Sequence, residues 1–321
     1  MKAIILHEYG GPEVLKLEER PMPEPGPGQA LVQVAAAGVN FIEIYQREGR
    51  YKQSLPCGIG VEGAGTVVVA APDVTEIKIG DRVAWLDGSG SYATHALIPA
   101  GKLAPVPAGV TLEQAAAAMV QGITADVLTS RTYPVKPGDR ALVHAAAGGA
   151  GRMLCQFAAM RGAFVIGTVS SEAKAAVARE AGAHETILYT KQDFEAEVKR
   201  LTGGGGVNVV YDSVGRDTFD KSLACLARLG HLVLLGQSSG FVPPFEIQRL
   251  SARSLTLTRP RVFDYVANRE DLLHHAAQLF GRIAEGRVRL LIDRTYPLEQ
   301  AAEAQVALAS RLTTGKLLLI P

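Results

Sequence analysis

The hydrophobic rhythm of the chain changes twice. Residues 1–120 carry short alternating runs of apolar and polar positions at Ala30–Ala36, Gly65–Val69 and Arg82–Trp85. Proline and glycine turns such as Pro21–Gly28 and Lys78–Asp81 separate them. Period-two alternation predicts half-buried β-strands. From about Arg140 to Pro260, apolar runs alternate with helical segments, the pattern of parallel βαβ units. Strands are expected at Ala141–His144, Phe164–Val169, Thr186–Leu188, Asn208–Asp212, Leu232–Leu235 and Leu255–Thr258. The intervening helices are expected to end at Gly162, Gly182 and Gly230, and Asp217 reads as the N-cap of a helix starting near Thr218. Six such strands predict an α/β doubly wound sheet. The tail reads as a helix at Asn268–Glu285, an apolar run at Leu290–Asp293, a further helix and a last strand at Gly315–Ile320. It is too short for a domain of its own. The expectation is that it folds back on residues 1–120, leaving a cleft of the kind ligand sites favour.

The most informative stretch is Arg140-Ala-Leu-Val-His-Ala-Ala-Ala-Gly-Gly-Ala-Gly151. An apolar run ends in a glycine-rich turn and a helical pattern begins at once, the context in which a dinucleotide pyrophosphate is held. Gly148 lets the backbone approach phosphate, Gly151 lets the helix pack closely on its strand, and the helix start presents free N–H groups. Against G-x-G-x-x-G, Ala146 replaces the first glycine, so the motif has to be read with its surroundings.

Composition narrows the class. The 321 residues are 47% hydrophobic with a net charge of +1, which suits a two-domain globular protein and gives no nucleic-acid or membrane-surface footprint. No run reaches the roughly 18 apolar residues of a spanning helix. The N-terminal MKAIILHEYG reads as a strand, too short in its apolar part for a signal peptide. Cys57, Cys155 and Cys225 are odd in number and far apart, so a disulfide framework is not expected and a cytoplasmic setting is.

The second strand of the doubly wound segment points to the type of dinucleotide. A sheet that binds NADH places an acidic residue about 20 positions beyond the glycine loop, on the ribose 2′-hydroxyl. Ser170 stands at that place here, followed by Ser171 and, one helical turn on, Lys174. Two hydroxyls and an ammonium suit a 2′-phosphate, so the expected cofactor is NADPH. Glu172 is read as serving the helix dipole and pointing away.

With these residues in place the chain resembles the quinone oxidoreductases of the zeta-crystallin type, within the medium-chain dehydrogenase/reductase superfamily. The resemblance runs along GGPEVL (Gly10–Leu15), GVNFIEIYQREG (Gly38–Gly49), HAAAGGAG (His144–Gly151), VVYDSVGRDT (Val209–Thr218), GQSSG (Gly236–Gly240), TRP (Thr258–Pro260) and the ending from Ser310. It implies a doubly wound parallel Rossmann sheet (126–260) inserted in a β-rich GroES-like catalytic domain (1–125 plus 261–321). It also implies NADPH-dependent reduction of a quinone.

The same resemblance supplies site residues. Asn40 and Tyr45 are expected beside nicotinamide and acceptor, with amide and phenol able to bond quinone oxygens. Tyr51 and Arg259 are expected to shape the acceptor site; the alternatives are a packed aromatic for Tyr45 and a structural ion pair for Arg259. Cofactor contacts are expected from Thr124, from Ala147, Gly148, Gly149, Ala150 and Gly151, and from Tyr189 with Lys174. Ser213, Gly215, Gly236, Gln237, Ser238, Arg311 and Lys316 complete the set. Gln121 stands where a lysine is expected and Gln237 where an asparagine is.

Zinc-dependent members of the superfamily hold their metal at places that here carry Asn40, Val61 and Gln121, none a good zinc ligand, so no metal is expected. A quinone, whose conjugation spreads the incoming charge, suits such a site. Two other readings stay open: reduction of an enone or alkenal double bond by the same parts, and a crystallin-like structural or RNA-binding role. The balanced charge speaks against the last. An exposed edge strand of the doubly wound sheet suggests a twofold homodimer.

Overall fold

The alternating first stretch folds into strands joined by turns: β1 (Lys2–Leu6), β2 (Leu15–Glu19), β3 (Gln29–Val39), the helix α1 (Phe41–Arg47), β4 (Cys57–Gly58), β5 (Glu62–Ala70), β6 (Arg82–Leu86), β7 (His95–Pro99), β8 (Ala104–Pro105) and the helix α2 (Leu112–Val127). The βαβ region follows with β9 (Arg140–Val143), α3 (Gly149–Met160), β10 (Phe164–Val169), α4 (Glu172–Glu180), β11 (Glu185–Leu188), α5 (Phe194–Leu201), β12 (Val207–Asp212), α6 (Phe219–Cys225), β13 (Leu226–Leu234) and β14 (Thr256–Thr258). The tail adds α7 (Val262–Tyr265), α8 (Arg269–Ala284), β15 (Ile292–Pro297), α9 (Ala301–Ala309) and β16 (Lys316–Ile320). This computed structural model describes residues 1–321. It divides into two units, Met1–Ile123 with Phe263–Pro321, and Thr124–Val262.

In the first unit a seven-stranded sheet runs β15-β16-β3-β5-β6-β8 with β7 also on β3, beside a three-stranded sheet β2-β1-β4. The C-terminal strand β16 lies antiparallel to β3, with Leu317 opposite Val39 and Leu318 opposite Gly38. Trp85, Leu6, Ile98, Leu103 and Leu319 are wholly buried in its core. α8 starts at Asn268, whose side chain accepts from the Asp271 N–H at 2.8 Å. Arg269 then donates to the carbonyls of Ala100 and Leu103 at 2.8 and 3.0 Å, tying the tail to the β-rich part.

The second unit is an all-parallel six-stranded sheet of order β11-β10-β9-β12-β13-β14. The strand order reverses direction between β9 and β12, the switch point at which such sheets open for a ligand. Val143, Val165, Ile166, Val209 and Val210 are fully buried, as expected of strands covered by helices on both faces.

Three local expectations are corrected. Asp217 does not cap α6: Thr218 precedes the helix, and Asp217 pairs instead with Arg216 at 3.1 Å. Gly230 ends no helix, because α6 stops at Cys225 and Gly230 lies within β13. The residue that turns left-handed there is Leu229 (φ 64°). Gly162 and Gly182 do sit in left-handed backbone after α3 and α4 (φ 85° and 96°). The apolar run at Leu290–Asp293 enters its strand only at Ile292 and continues to Pro297.

Candidate active site

The glycine loop begins where β9 ends. Ala145 adopts left-handed backbone (φ 50°) and the chain closes on itself, the Gly148 N–H reaching the Ala145 carbonyl at 2.9 Å. Gly148 then takes the N-cap of the 12-residue α3. A Cβ placed on Gly151 would lie 2.2 Å from the Ala145 oxygen, so only glycine lets the helix come this close. Gly148, Gly149 and Ala150 stay half-exposed. The first-turn N–H groups of a helix have no partner within it. Backbone donors around a cradle that a side chain would fill fit a pyrophosphate. The missing first glycine also finds its reason. The Ala146 methyl faces Gly167 of β10, where a Cβ would come within 2.7 Å.

Beneath this loop runs a buried chain of polar groups that sequence reading missed. Asp212, at the end of β12, accepts from the N–H groups of Val214 and Gly215 (2.8 and 2.9 Å) and from the hydroxyls of Thr218 and Ser222 (2.7 and 2.9 Å). Ser222 thereby spends its proton on a carboxylate. It is left to accept from His144 Nε2 at 3.0 Å, and His144 Nδ1 accepts from Thr168 at 2.9 Å. Burial holds the imidazole below its usual pKa, opposed by Asp212. This fixes a neutral Nε2–H tautomer. The order Asp–Ser–His is therefore no nucleophile triad, since the serine proton points away from the base.

The next loops are packed backbone on backbone. The Gly236 N–H reaches the Asp212 carbonyl at 3.2 Å, Ser238 reaches Ser213 at 3.2 Å and Ser239 reaches Val214 at 2.8 Å. A Cβ on Gly236 would meet the Ser213 oxygen at 2.6 Å, and one on Gly215 (φ 90°) the Gln237 Cα at 2.9 Å. Ser213, Gly215, Gly236, Gln237 and Ser238 thus form one rim at the carboxyl ends of β12 and β13.

The carboxyl ends of β10 and β11 bring together Ser170, Ser171, Lys174 and Tyr189. Ser171 caps α4, its Oγ accepting from the Lys174 N–H at 3.3 Å. The Ser170 carbonyl accepts from Thr190, and the Tyr189 N–H reaches Val169. Tyr189 exposes its ring. Two hydroxyl residues, a lysine at a helix start and an aromatic at the rim fit a phosphorylated ribose with its adenine. Arg152, unremarked in the sequence, donates to the Val177 carbonyl at 3.1 Å and so ties α3 to α4.

In the first unit, Asn40 caps α1 at the end of β3. Its Nδ2 donates to Glu62 Oε1 at 2.8 Å and to Glu43 Oε1 at 3.3 Å, and its Oδ1 accepts from Lys316 Nζ at 2.7 Å. Lys316 also pairs with Glu62. The Glu62 Oε2 accepts from the Val120 N–H at 2.7 Å; Glu43 accepts from the N–H groups of Asn40 (2.7 Å) and Val61 (3.1 Å). All four side chains are buried. Burial, with Glu62 adding to it, pushes the Glu43 carboxyl up to about 7 against the pull of Lys316. Tyr45 and Tyr51 meet edge to face at 5.5 Å, with the Arg50 guanidinium 5.5 Å from the Tyr45 ring centre.

The remaining site residues are dispersed. Thr124 lies on α2. Arg311 follows α9 in left-handed backbone (φ 59°). Arg259 belongs to the second unit, donating to the Leu234 carbonyl at 3.2 Å. No three His, Cys, Asp or Glu side chains are placed to hold a metal ion. At the places that the resemblance assigns to zinc ligands, Asn40 is an amide already bonded to Lys316, Val61 is apolar and Gln121 is a second amide.

Fold and site together define a dinucleotide-binding α/β protein carrying a separate β-rich unit. Residues 149–280 match the family model "Zinc-binding dehydrogenase", and residues 26–108 match "Alcohol dehydrogenase GroES-like domain". The chain is 44% identical to the quinone oxidoreductase of Pseudomonas aeruginosa over 100% of its length and 99% of the relative's. It is 40% identical to a 2-haloacrylate reductase of a Burkholderia species, over 99% and 98%. The crystal structure of Escherichia coli quinone oxidoreductase complexed with NADPH superposes with a TM-score of 0.98 at 42% identity, covering 100% of both chains. The chain belongs to the quinone oxidoreductase family of the medium-chain dehydrogenase/reductase superfamily.

Proposed function

We propose that this protein is an NADPH-dependent quinone oxidoreductase that works without zinc. Its full-length similarity to a quinone oxidoreductase complexed with NADPH carries the assignment. The Ser170–Ser171–Lys174–Tyr189 cluster supports the phosphorylated cofactor, since a carboxylate at position 170 would repel the 2′-phosphate. When bound, NADPH supplies the hydride. Residues 126–260 hold it: the start of α3 takes the pyrophosphate and the rim after β12 and β13 orients the rest, with Thr124 and Arg311 as further contacts. Residues 1–125 plus 261–321 take the acceptor.

In that role Tyr45 and Tyr51 offer phenols to the acceptor's oxygens, and Arg259 counters negative charge that develops there. Zinc has no place in this scheme because Asn40, Val61 and Gln121 are the wrong donors for it. The test is NADPH consumption with a panel of quinones, repeated with NADH and with a chelator present. Quinone-dependent turnover that prefers NADPH and survives the chelator is expected; absence of NADPH binding would overturn the reading.

A second reading is reduction of an electron-poor carbon–carbon double bond, favoured by the similarity to 2-haloacrylate reductase. Turnover with activated alkenes and none with quinones would move the assignment there. We further infer a cytoplasmic homodimer. No helix is long and apolar enough to cross a membrane, and β14 leaves a sheet edge open for a twofold partner. A monomer mass in solution would exclude the dimer.

A further inference from the structure

The start of α3 carries a charge of the sign that helix starts disfavour. The unpaired N–H groups there are partially positive, so acidic side chains are the ones that suit a first turn. The first turn of α3 holds no carboxylate, and the fourth residue of the helix is Arg152. Its N–H closes that turn on the Gly148 carbonyl at 2.8 Å, so the cation grows from the same turn as the glycine cradle.

Arg152 is also buried, with 7% of its surface exposed. Its side chain reaches from α3 to α4 and donates to the Val177 carbonyl at 3.1 Å. That carbonyl already accepts from the Ala181 N–H at 3.2 Å and needs no second donor. The one carboxylate that acts on the guanidinium is Glu180, at the exposed end of α4, and it forms no ion pair with it. Burial outweighs Glu180 and holds Arg152 below its usual pKa.

Burial, the positive helix end and the lack of a counter-ion thus all act against this charge in the nucleotide-free protein. Joining two helices does not call for an ion, because an apolar side chain of similar length fills such a space with less desolvation. An anion at the start of α3 changes the balance. It supplies the counter-ion, the same helix end attracts it, and charges shielded from water interact more strongly than charges in it.

We propose that Arg152 is a positioning residue for the pyrophosphate of the bound dinucleotide, attracting it electrostatically from its place against α4. The proposal rests on the NADPH reading above. It gives Arg152 a role different from that of Lys174, since the pyrophosphate is common to NADPH and NADH while the 2′-phosphate belongs to NADPH alone.

The test compares Arg152→Met, Arg152→Gln and Arg152→Lys, with the affinities for NADPH and for NADH read by fluorescence titration without quinone. Methionine removes the charge and keeps the bulk. Glutamine removes the charge and keeps a donor for Val177, and lysine keeps the charge. Both nucleotides should bind about tenfold more weakly to the methionine and glutamine variants, with their ratio unchanged. The lysine variant should stay within about threefold of the wild type for each.

Unchanged affinity in the glutamine variant overturns the proposal. A loss with methionine that glutamine does not share also does so, by making the hydrogen bond between α3 and α4 the feature that matters. A loss confined to NADPH would place Arg152 at the 2′-phosphate, and a lysine variant as weak as glutamine would remove charge as the cause; either overturns it. Should Arg152→Met fail to fold, the glutamine and lysine variants decide by the same outcomes. Wild-type protein that binds neither nucleotide would instead overturn the functional reading, and the proposal with it.

Discussion

His144 donates through Nε2 to the hydroxyl of Ser222, 3.0 Å away and 78 residues further along the chain. Ser222 passes the polarity on to Asp212, whose carboxylate organises the loop after β12. One run of hydrogen bonds, from Thr168 through His144 and Ser222 to Asp212, therefore locks the ends of β9, β10 and β12. Those are the ends that carry the glycine loop and its neighbours.

Replacing His144 by alanine should thus destabilise the protein without removing a proton-transfer group. Thr168 loses its acceptor and a cavity opens, at a cost of about 3 kcal/mol. Chemical denaturation measures the loss. The acidic arm of the pH–rate profile should keep its position in whatever activity survives; a shifted arm would give His144 a catalytic role.

Gly151→Ala sets a methyl carbon against the Ala145 carbonyl, which cannot move without opening the loop. The start of α3 has to shift. Overpacking of this kind costs about 1–3 kcal/mol. NADPH affinity should fall at least tenfold, because the phosphate-facing N–H groups move with the helix. Fluorescence titration against the wild type decides, and near-equal affinities would contradict the placement of the pyrophosphate.

Lys174→Ala should weaken NADPH while leaving NADH nearly untouched. Losing one charge-assisted contact to a phosphate costs roughly 2 kcal/mol, or about thirtyfold in affinity. The ratio of kcat/KM for the two nucleotides reports it. An equal loss with both would place Lys174 away from the 2′-phosphate.

Glu43 gives a pH signature of defined sign. Its carboxyl is raised from 4.5 to about 7 in the folded protein, chiefly by burial. Between those limits the unfolded chain is already ionised and the folded one still holds the proton. This contribution to stability is whole below pH 4.5 and is lost as pH rises towards 7, by about 3 kcal/mol in all. Glu43→Gln removes the dependence. Relative to wild type, its unfolding free energy should therefore climb by about that amount across the same interval, on top of any constant offset. A difference that stays flat from pH 4.5 to 7 would mean that Glu43 is ionised throughout. His144, held below its usual pKa in the other unit, acts in the opposite sense and is common to both proteins.

Local chemistry was enough for the scaffold. Covered strands, glycine-ended helices and a glycine loop opening α3 are properties of neighbouring residues, so the six-stranded sheet and its glycine-rich turn could be read directly. The missing acid at Ser170, with Lys174 one turn on, was legible for the same reason: a strand end and the next helix start are adjacent in the chain. Elements failed where the backbone departed from its usual habit. Gly230 stayed in a strand while Leu229 turned left-handed, and Asp217 left the capping position to Thr218.

What no sequence window contains is register across a sheet. Ala146 looks like a defect in the glycine motif until β10 sets Gly167 against it. Lys316 reads as a cofactor contact until β16 lays it opposite Asn40, 276 positions away, where its ammonium is taken up by that amide and by Glu62. The sequence by itself determined the fold class and the family, because these rest on contiguous pattern. The tertiary structure alone decided the tautomer of His144 and the orientation of Asn40. Hydrogen-bonding roles depend on the partners that distant strands bring together, and an amide or imidazole has no preferred role until those partners are in place.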